Sequence, residues 1–337
     1  MRRNWWKALG VLLLLYVVLI GLRTPLAPTI VHVDTDRITP GPVRFIAQGY
    51  GTAFSTEQPP MVWLENSGQR LCAAEVTVLD PLRIRVELEI PEGFRSELSH
   101  LHVLDTRAGQ SMVLHEAFWT GGRGSGIQEA TCPATAFSPS AAFTFPNRAI
   151  LNETIRNLFF HVPMWFTMML LMTISVVHSV RALGAGGLRH DVAAVNAVRV
   201  GLVFAALGLV TGMVWARATW GTWWTSDPQL NGAATVTLIY LAYLVLRGSV
   251  ADPGRRARLA AVYNLFAFAL MLVFFMVLPR LSDSLHPGKG GNPAFSTYDL
   301  DDHLRLVFYP AVLGWMLLGT WMFNLRLRAA RLSESRP

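Results

Sequence analysis

Six long stretches without a charged side chain set the architecture: Ala8–Leu22, Asn157–Val180, Val200–Ala216, Pro228–Leu246, Leu259–Pro279 and Leu306–Leu325. Most approach the ~20 residues that, at 1.5 Å rise each, carry a helix across a ~30 Å hydrocarbon core. The chain therefore reads as a polytopic helical membrane protein. Composition agrees, since only 15% of residues are charged and 52% are hydrophobic, against roughly 25% charged in ordinary soluble domains. The net charge of +7 invites a nucleic-acid reading. That reading fails because the basic residues form no patch or stripe and sit mostly at the ends of the apolar runs. Arg2, Arg3 and Lys7 ahead of the short first run also describe a signal peptide, but Arg23-Thr24-Pro25-Leu26-Ala27 offers no clear small-residue cleavage site, so the expectation is a retained helix.

Basic residues in the connections orient the bundle. Arg2, Arg3 and Lys7, then Arg181, Arg189 and Arg199, then Arg247, Arg255, Arg256 and Arg258, and finally Arg326, Arg328, Arg331 and Arg336 face only Asp191, Asp252 and Glu334 on the same side. These segments, both termini included, are expected in the cytoplasm. The connections after the first, third and fifth runs then face the opposite compartment.

Between Arg23 and Arg156 the texture changes. Leu82, Ile84, Val86, Leu88 and Ile90 alternate with Arg83, Arg85, Glu87 and Glu89, the period of a strand with one buried face. Leu101–Asp105 and Ser111–Ala117 flank Thr106-Arg107-Ala108-Gly109-Gln110 as a hairpin, and Val43–Ala47 and Met61–Leu64 supply further strands. The fold class expected is an all-α bundle of six transmembrane helices with an all-β, Ig-like sandwich inserted between helices one and two. The domains expected are a helix over 1–24, the extracytoplasmic insert over 33–147, a transmembrane domain over 151–328 and a cytoplasmic tail over 329–337. Cys72 and Cys132, the chain's 2 cysteines, both fall in the insert, where an oxidising compartment permits a disulfide. Without a CxxC there is no basis for zinc-finger, iron–sulfur or dithiol chemistry.

Three features fall at the extracytoplasmic helix ends: Phe159-Phe160-His161-Val162-Pro163, the loop from Trp215 through Arg217, Trp220, Trp223 and Trp224 to Asp227, and Leu285-His286-Pro287-Gly288-Lys289-Gly290. Each has an ordinary explanation. Tryptophan anchors helices at membrane interfaces, and a single interfacial histidine is usually just a polar residue. Together they suit a flat iron macrocycle, with imidazoles from two helices as axial ligands and indole faces against the porphyrin edge.

With His161-Val162-Pro163, Val210-Thr211-Gly212, Trp220-Gly221-Thr222-Trp223-Trp224 with Asp227, and Leu285-His286, the chain resembles the haem-handling (WWD-motif) family. Within it the resemblance is to haem exporter protein C, CcmC/CcsA-like, over about residues 151–328. The β insert has no counterpart in the short form of that family. The resemblance implies a bacterial inner-membrane protein of c-type cytochrome biogenesis, a haem transport protein more than a free-standing enzyme. It would hold haem b in bis-histidine ligation by His161 and His286, with Trp220, Trp223, Trp224 and Asp227 on the tryptophan-rich signature. It also implies as partners a periplasmic haem chaperone, the cytochrome c maturation ABC transporter and its small membrane subunits. Where the family has a further tryptophan before the aspartate, this chain has Ser226. Trp215 lines the same loop, and Arg217 is placed to pair with a haem propionate.

The other histidines are set aside. His178 lies about 25 Å along its helix from His161, too far to share a site. His303 sits in an acidic loop, and His100 and His102 share a strand face but lack a third ligand. His115-Glu116-Ala117-Phe118-Trp119 ends in tryptophan where the chaperone's haem-attachment motif has tyrosine, so the insert is read as a docking surface. Two rivals remain: a haem lyase attaching haem directly to apocytochrome c, and a membrane-anchored sensor or interaction protein working through the β domain.

Overall fold

The computed structural model describes residues 4–66, 69–94, 98–120, 140–148, 151–184, 187–282, 284, 286 and 300–334. The chain divides into two compact units, Pro25–Asn152 and the remainder.

The second of these units is helical: α1 (Trp5–Arg23), α2 (His161–Leu183), α3 (Gly187–Trp220), α4 (Pro228–Ser249), α5 (Pro253–Leu272) and α6 (Leu278–Leu281), then α7 (Asp302–Glu334). A π-helical segment, Val273–Val277, joins α5 to α6, so the two form one span. Among the described residues six helices are long and apolar enough to cross a membrane. Large apolar side chains that a soluble protein would bury point outward instead, among them Leu12, Leu238, Val245, Phe266 and Leu306. In lipid such a surface carries no penalty, and helices associate through small residues that let backbones approach. α3 follows that rule on the face it turns to α2. A Cβ added at Gly201 would fall 2.8 Å from Met172 Cε, and one at Gly208 would fall 2.7 Å from Trp165.

α3 begins at Gly187, well before the Val200 expected from the apolar run, because its polar first half is paired across helices. Asp191, 4% exposed, receives both Nη1 and Nη2 of Arg247 on α4, and Asn196 Oδ1 accepts from Arg326 Nε on α7 at 3.1 Å. α7 likewise runs through Glu334, so residues 329–334 continue the helix.

The Pro25–Asn152 unit is a β-sandwich. β1 (Thr29–Val33), β3 (Gly41–Tyr50), β7 (Arg83–Ile90) and β6 (Glu75–Asp80) form one antiparallel sheet in that order. β2 (Arg37–Ile38), β9 (Gln110–Thr120), β8 (Leu98–Asp105), β4 (Met61–Asn66) and β5 (Gln69–Cys72) form the other, with β2 parallel to β9. The inward residues of both sheets make one core, where Phe45 meets Phe118 at 4.7 Å between ring centroids and Ile84, Val86, Leu64, Leu101 and Val103 are fully buried. Each such burial stabilises by about 1.5–3 kcal/mol over leaving the side chain in water. Leu82 departs from the alternation that included it. It is 44% exposed in the turn before β7, where its N–H donates to Asp80 Oδ1. Cys72 is disulfide-bonded, while Cys132 lies outside the described residues.

Candidate functional site

Helix direction alternates, so the start of α2, the end of α3, the start of α4 and the end of α6 share one end of the bundle. His161 opens α2, following a 3-10 segment over Asn152–Phe159, and Pro163 fits the first turn because its absent N–H had no helical partner. Arg156 in that segment donates from Nη1 to the Gly21 and Thr24 carbonyls, satisfying the end of α1.

One face of α3 organises the site. The His161 ring lies on Gly212, where a Cβ would stand 2.8 Å from its Cε1, and its Nδ1 is 3.1 Å from Thr211 Oγ1. Trp165, one turn along α2, packs edge-on against both His161 and Phe275 of the π segment at 6.2 and 5.4 Å. Four residues beyond Thr211, about 6 Å along the axis, Trp215 stands 5.7 Å from the His286 ring, and Trp220 stands 5.3 Å from it. Trp215 and Trp220 also meet each other at 4.9 Å. His161 against Thr211 and His286 against Trp215 thus sit one turn apart along the same stretch of α3, which brings the two expected ligands to neighbouring positions. Leu285 and Pro287–Gly290 of that loop lie outside the described residues.

Asp227 has two tasks. It caps α4, its Oδ1 accepting from Gln229 N at 2.9 Å and Leu230 N at 3.4 Å, and the same oxygen faces His286 Nδ1 at 3.1 Å. A carboxylate against Nδ1 places the ring proton there and the lone pair on Nε2, the tautomer a metal-ligating histidine uses.

The rest of the expected loop is more exposed. Trp223 and Trp224 are 54% and 39% exposed, with Trp224 Nε1 donating to Asn231 Oδ1 at 3.1 Å. Arg217 donates to the Gly221 carbonyl, stabilising the turn where Gly221 adopts φ +75°, and Ser226 is exposed. Sequence reasoning missed Trp165 and Gly208, and it named Thr211 and Gly212 only as matched motif positions, with no role in the site. The i, i+4 spacing of Gly208 and Gly212 against that of His161 and Trp165 was the available signal.

Other histidines have different surroundings. His178 and His190 meet at the far end of α2 and α3, with their Nδ1 atoms 2.9 Å apart. In the sandwich, His102 stacks on Trp63 at 4.9 Å with Nε2 3.6 Å from Glu65 Oε2, and His100 Nδ1 accepts from Glu116 N at 3.0 Å. His115 lies edge-on to His100, and His303 is half-buried near the start of α7. No group of three or more His, Cys, Asp or Glu able to hold a metal occurs among the described residues.

A polytopic membrane protein with two histidines and a tryptophan cluster gathered at one bundle end is the class defined by fold and site. The family described as "Heme exporter protein C" (CcmC) matches residues 128–336, and the chain belongs to that family. "Heme exporter protein C" of Bradyrhizobium diazoefficiens is 39% identical over 131 residues, covering 37% of this chain and 48% of that protein. The protein of the same name from Paracoccus denitrificans is 31% identical over 200 residues, 55% of this chain and 77% of that one. "Cytochrome c biogenesis protein CcsA" of Prochlorococcus marinus is 38% identical over 96 residues, 28% of this chain and 30% of that protein. The chain thus spans about half the length of the first relative, three quarters of the second and under a third of the third.

Proposed function

We propose that the chain binds haem b between His161 and His286 and presents it to a periplasmic haem chaperone during c-type cytochrome biogenesis. The observation that carries this reading is the pairing of each imidazole through Nδ1, to Thr211 on one side and Asp227 on the other, within an aromatic wall of Trp165, Trp215 and Trp220. The Asp227 carboxylate is a partner of the kind that holds metal-bound histidines, and the Thr211 hydroxyl oxygen faces the same ring position of His161. The residues therefore fit bis-histidine ligation of an iron porphyrin, and the indoles supply the apolar edge it needs. The exposed indoles of Trp223 and Trp224 form the surface offered to the macrocycle edge and to the chaperone. Arg217 lies in the same loop as the candidate partner of a propionate.

Orientation follows from the basic connections. Both termini are cytoplasmic, the sandwich, whose first strand begins at Thr29, is periplasmic, and the helical domain, whose last helix runs through Glu334, sits in the bacterial inner membrane with the histidine site on its periplasmic side. The names of the relatives support a place in haem export and cytochrome c maturation, with the ABC transporter and small membrane subunits of that system as partners. The match to a CcsA protein keeps direct attachment of haem to apocytochrome as the second reading. Purified protein is expected to show a Soret band that His161→Ala with His286→Ala abolishes or shifts. An unchanged spectrum in that double variant refutes the ligand assignment. Co-purification with haem-loaded chaperone supports presentation, whereas co-purification with apocytochrome supports direct attachment.

A further inference from the structure

We infer that Thr211 is the positioning residue that presents His161, and that His161 is the more readily exchanged of the two axial ligands; this rests on the haem reading above. A threonine hydroxyl carries one proton. Thr211 Oγ1 directs it along its own helix, donating to the Leu207 carbonyl at 2.8 Å with the Gly208 carbonyl at 3.1 Å. Toward His161 Nδ1 the same oxygen accepts, so Nδ1 carries the hydrogen and the lone pair is on Nε2. Asn157 Nδ2 donates to the Thr211 carbonyl at 3.3 Å, tying the segment before α2 to the same turn of α3. Gly212 completes the seat, because any side chain there would push the imidazole off α3.

The two ligands differ in the charge of their partners. Asp227 Oδ1 is an anion, itself fixed by two backbone N–H groups, and a carboxylate raises the basicity of the histidine it holds. Thr211 offers a neutral oxygen, and hydrogen bonds to ionised groups are roughly twice as strong as neutral ones. His286 is therefore the firmer ligand. With haem bound, exchange at His161 would involve only a coordinate bond: Nε2 would keep its lone pair, an incoming base would supply its own, the hydrogen would remain on Nδ1 facing the Thr211 oxygen, and no electron would change hands.

The test uses full-length, haem-loaded ferric protein in detergent, with cyanide as the incoming base and absorbance after rapid mixing as the readout. Thr211→Val is expected to raise the exchange rate and lower haem affinity by about tenfold each, within the 10–100-fold range of partners behind a ligating histidine. Thr211→Ser keeps the acceptor and is expected to match the wild type. Asp227→Asn is expected to lower affinity while leaving the exchange rate within about twofold. ¹⁵N spectra of the haem-free protein should show His161 protonated at Nδ1 in the wild type and Ser forms and mixed in the Val form. An absent Soret band in the wild type refutes the haem reading itself. If the wild type binds haem, an exchange rate unmoved by Thr211→Val, a Ser variant behaving like Val, or acceleration only by Asp227→Asn overturns this inference alone.

Discussion

Histidine stands beside tryptophan in two regions of this molecule, at one end of the helix bundle and on one sheet of the sandwich. His286 packs against Trp215 and Trp220, and His102 stacks on Trp63 across the β4–β8 pair. The residue types match and the chemistry differs. In the bundle both imidazoles are held through Nδ1, by Thr211 and Asp227, which leaves Nε2 as the nitrogen for the proposed ligation. In the sandwich, His102 directs Nε2 at Glu65, and His100 commits Nδ1 to the backbone N–H of Glu116. Ligand competence is set by which ring nitrogen the fold occupies rather than by composition.

The largest effect expected follows directly. Substituting His161 and His286 together removes bound haem, whereas substituting His100, His102 and His115 together leaves the Soret band of the full chain in place. Haem content per protein, measured after identical purification, decides it; loss of haem in the sandwich variant breaks the contrast.

Next in size is a change that separates fold from site within the bundle. Asp191 is buried against Arg247 at the end opposite the histidine site, and removing one partner of a buried ion pair costs about 3–5 kcal/mol. Asp191→Ala should lower the thermal midpoint of the full chain while the folded fraction keeps its Soret position. A shifted band at unchanged stability would show that the far end reaches the site.

This pair also marks where the sequence stopped being legible. The spans could be read because a helix in lipid needs an uninterrupted apolar run, and β7 because Ile84 to Ile90 alternate strictly. α3 was placed too late, at Val200, because Arg189, Asp191 and Arg199 read as a loop. Nothing near Asp191 in sequence reveals that Arg247 neutralises it from another helix. The site divides in the same way. His161, His286 and the tryptophans stood out as residue types at helix ends. Thr211 and Gly212 acquire meaning only when α2 lies on α3 and brings residue 161 against residue 211. Leu82 belonged to the alternating pattern, yet the Asp80 turn took it out of the strand.

A third prediction tests the charge on the partner of His286. Asparagine caps helices about as well as aspartate, so Asp227→Asn should preserve the start of α4 while replacing an anionic acceptor with a neutral one. Haem affinity is expected to fall about 10–100-fold, measured by titrating apo protein with haem, with little change in thermal midpoint. An equal loss of stability would mean that Asp227 serves the helix more than the histidine.

The smallest effect concerns the sandwich and has a definite sign. Burial holds His102 below the ordinary histidine range, opposed by the Glu65 carboxylate and reinforced by His100, Arg70 and His115 nearby. The unfolded chain then binds the proton more readily than the folded one. The contribution of His102 to stability is therefore full above a pH of about 6.5 and falls as pH drops through that value. Amide protection in β4 and β8 of the full chain, corrected for intrinsic exchange rates, should decline between pH 7.5 and 5.5. His102→Gln should flatten that slope without touching haem binding at the bundle end, because glutamine keeps a polar group beside Glu65 but cannot take up the proton. An unaltered slope would assign the pH response to Glu65 and the other histidines.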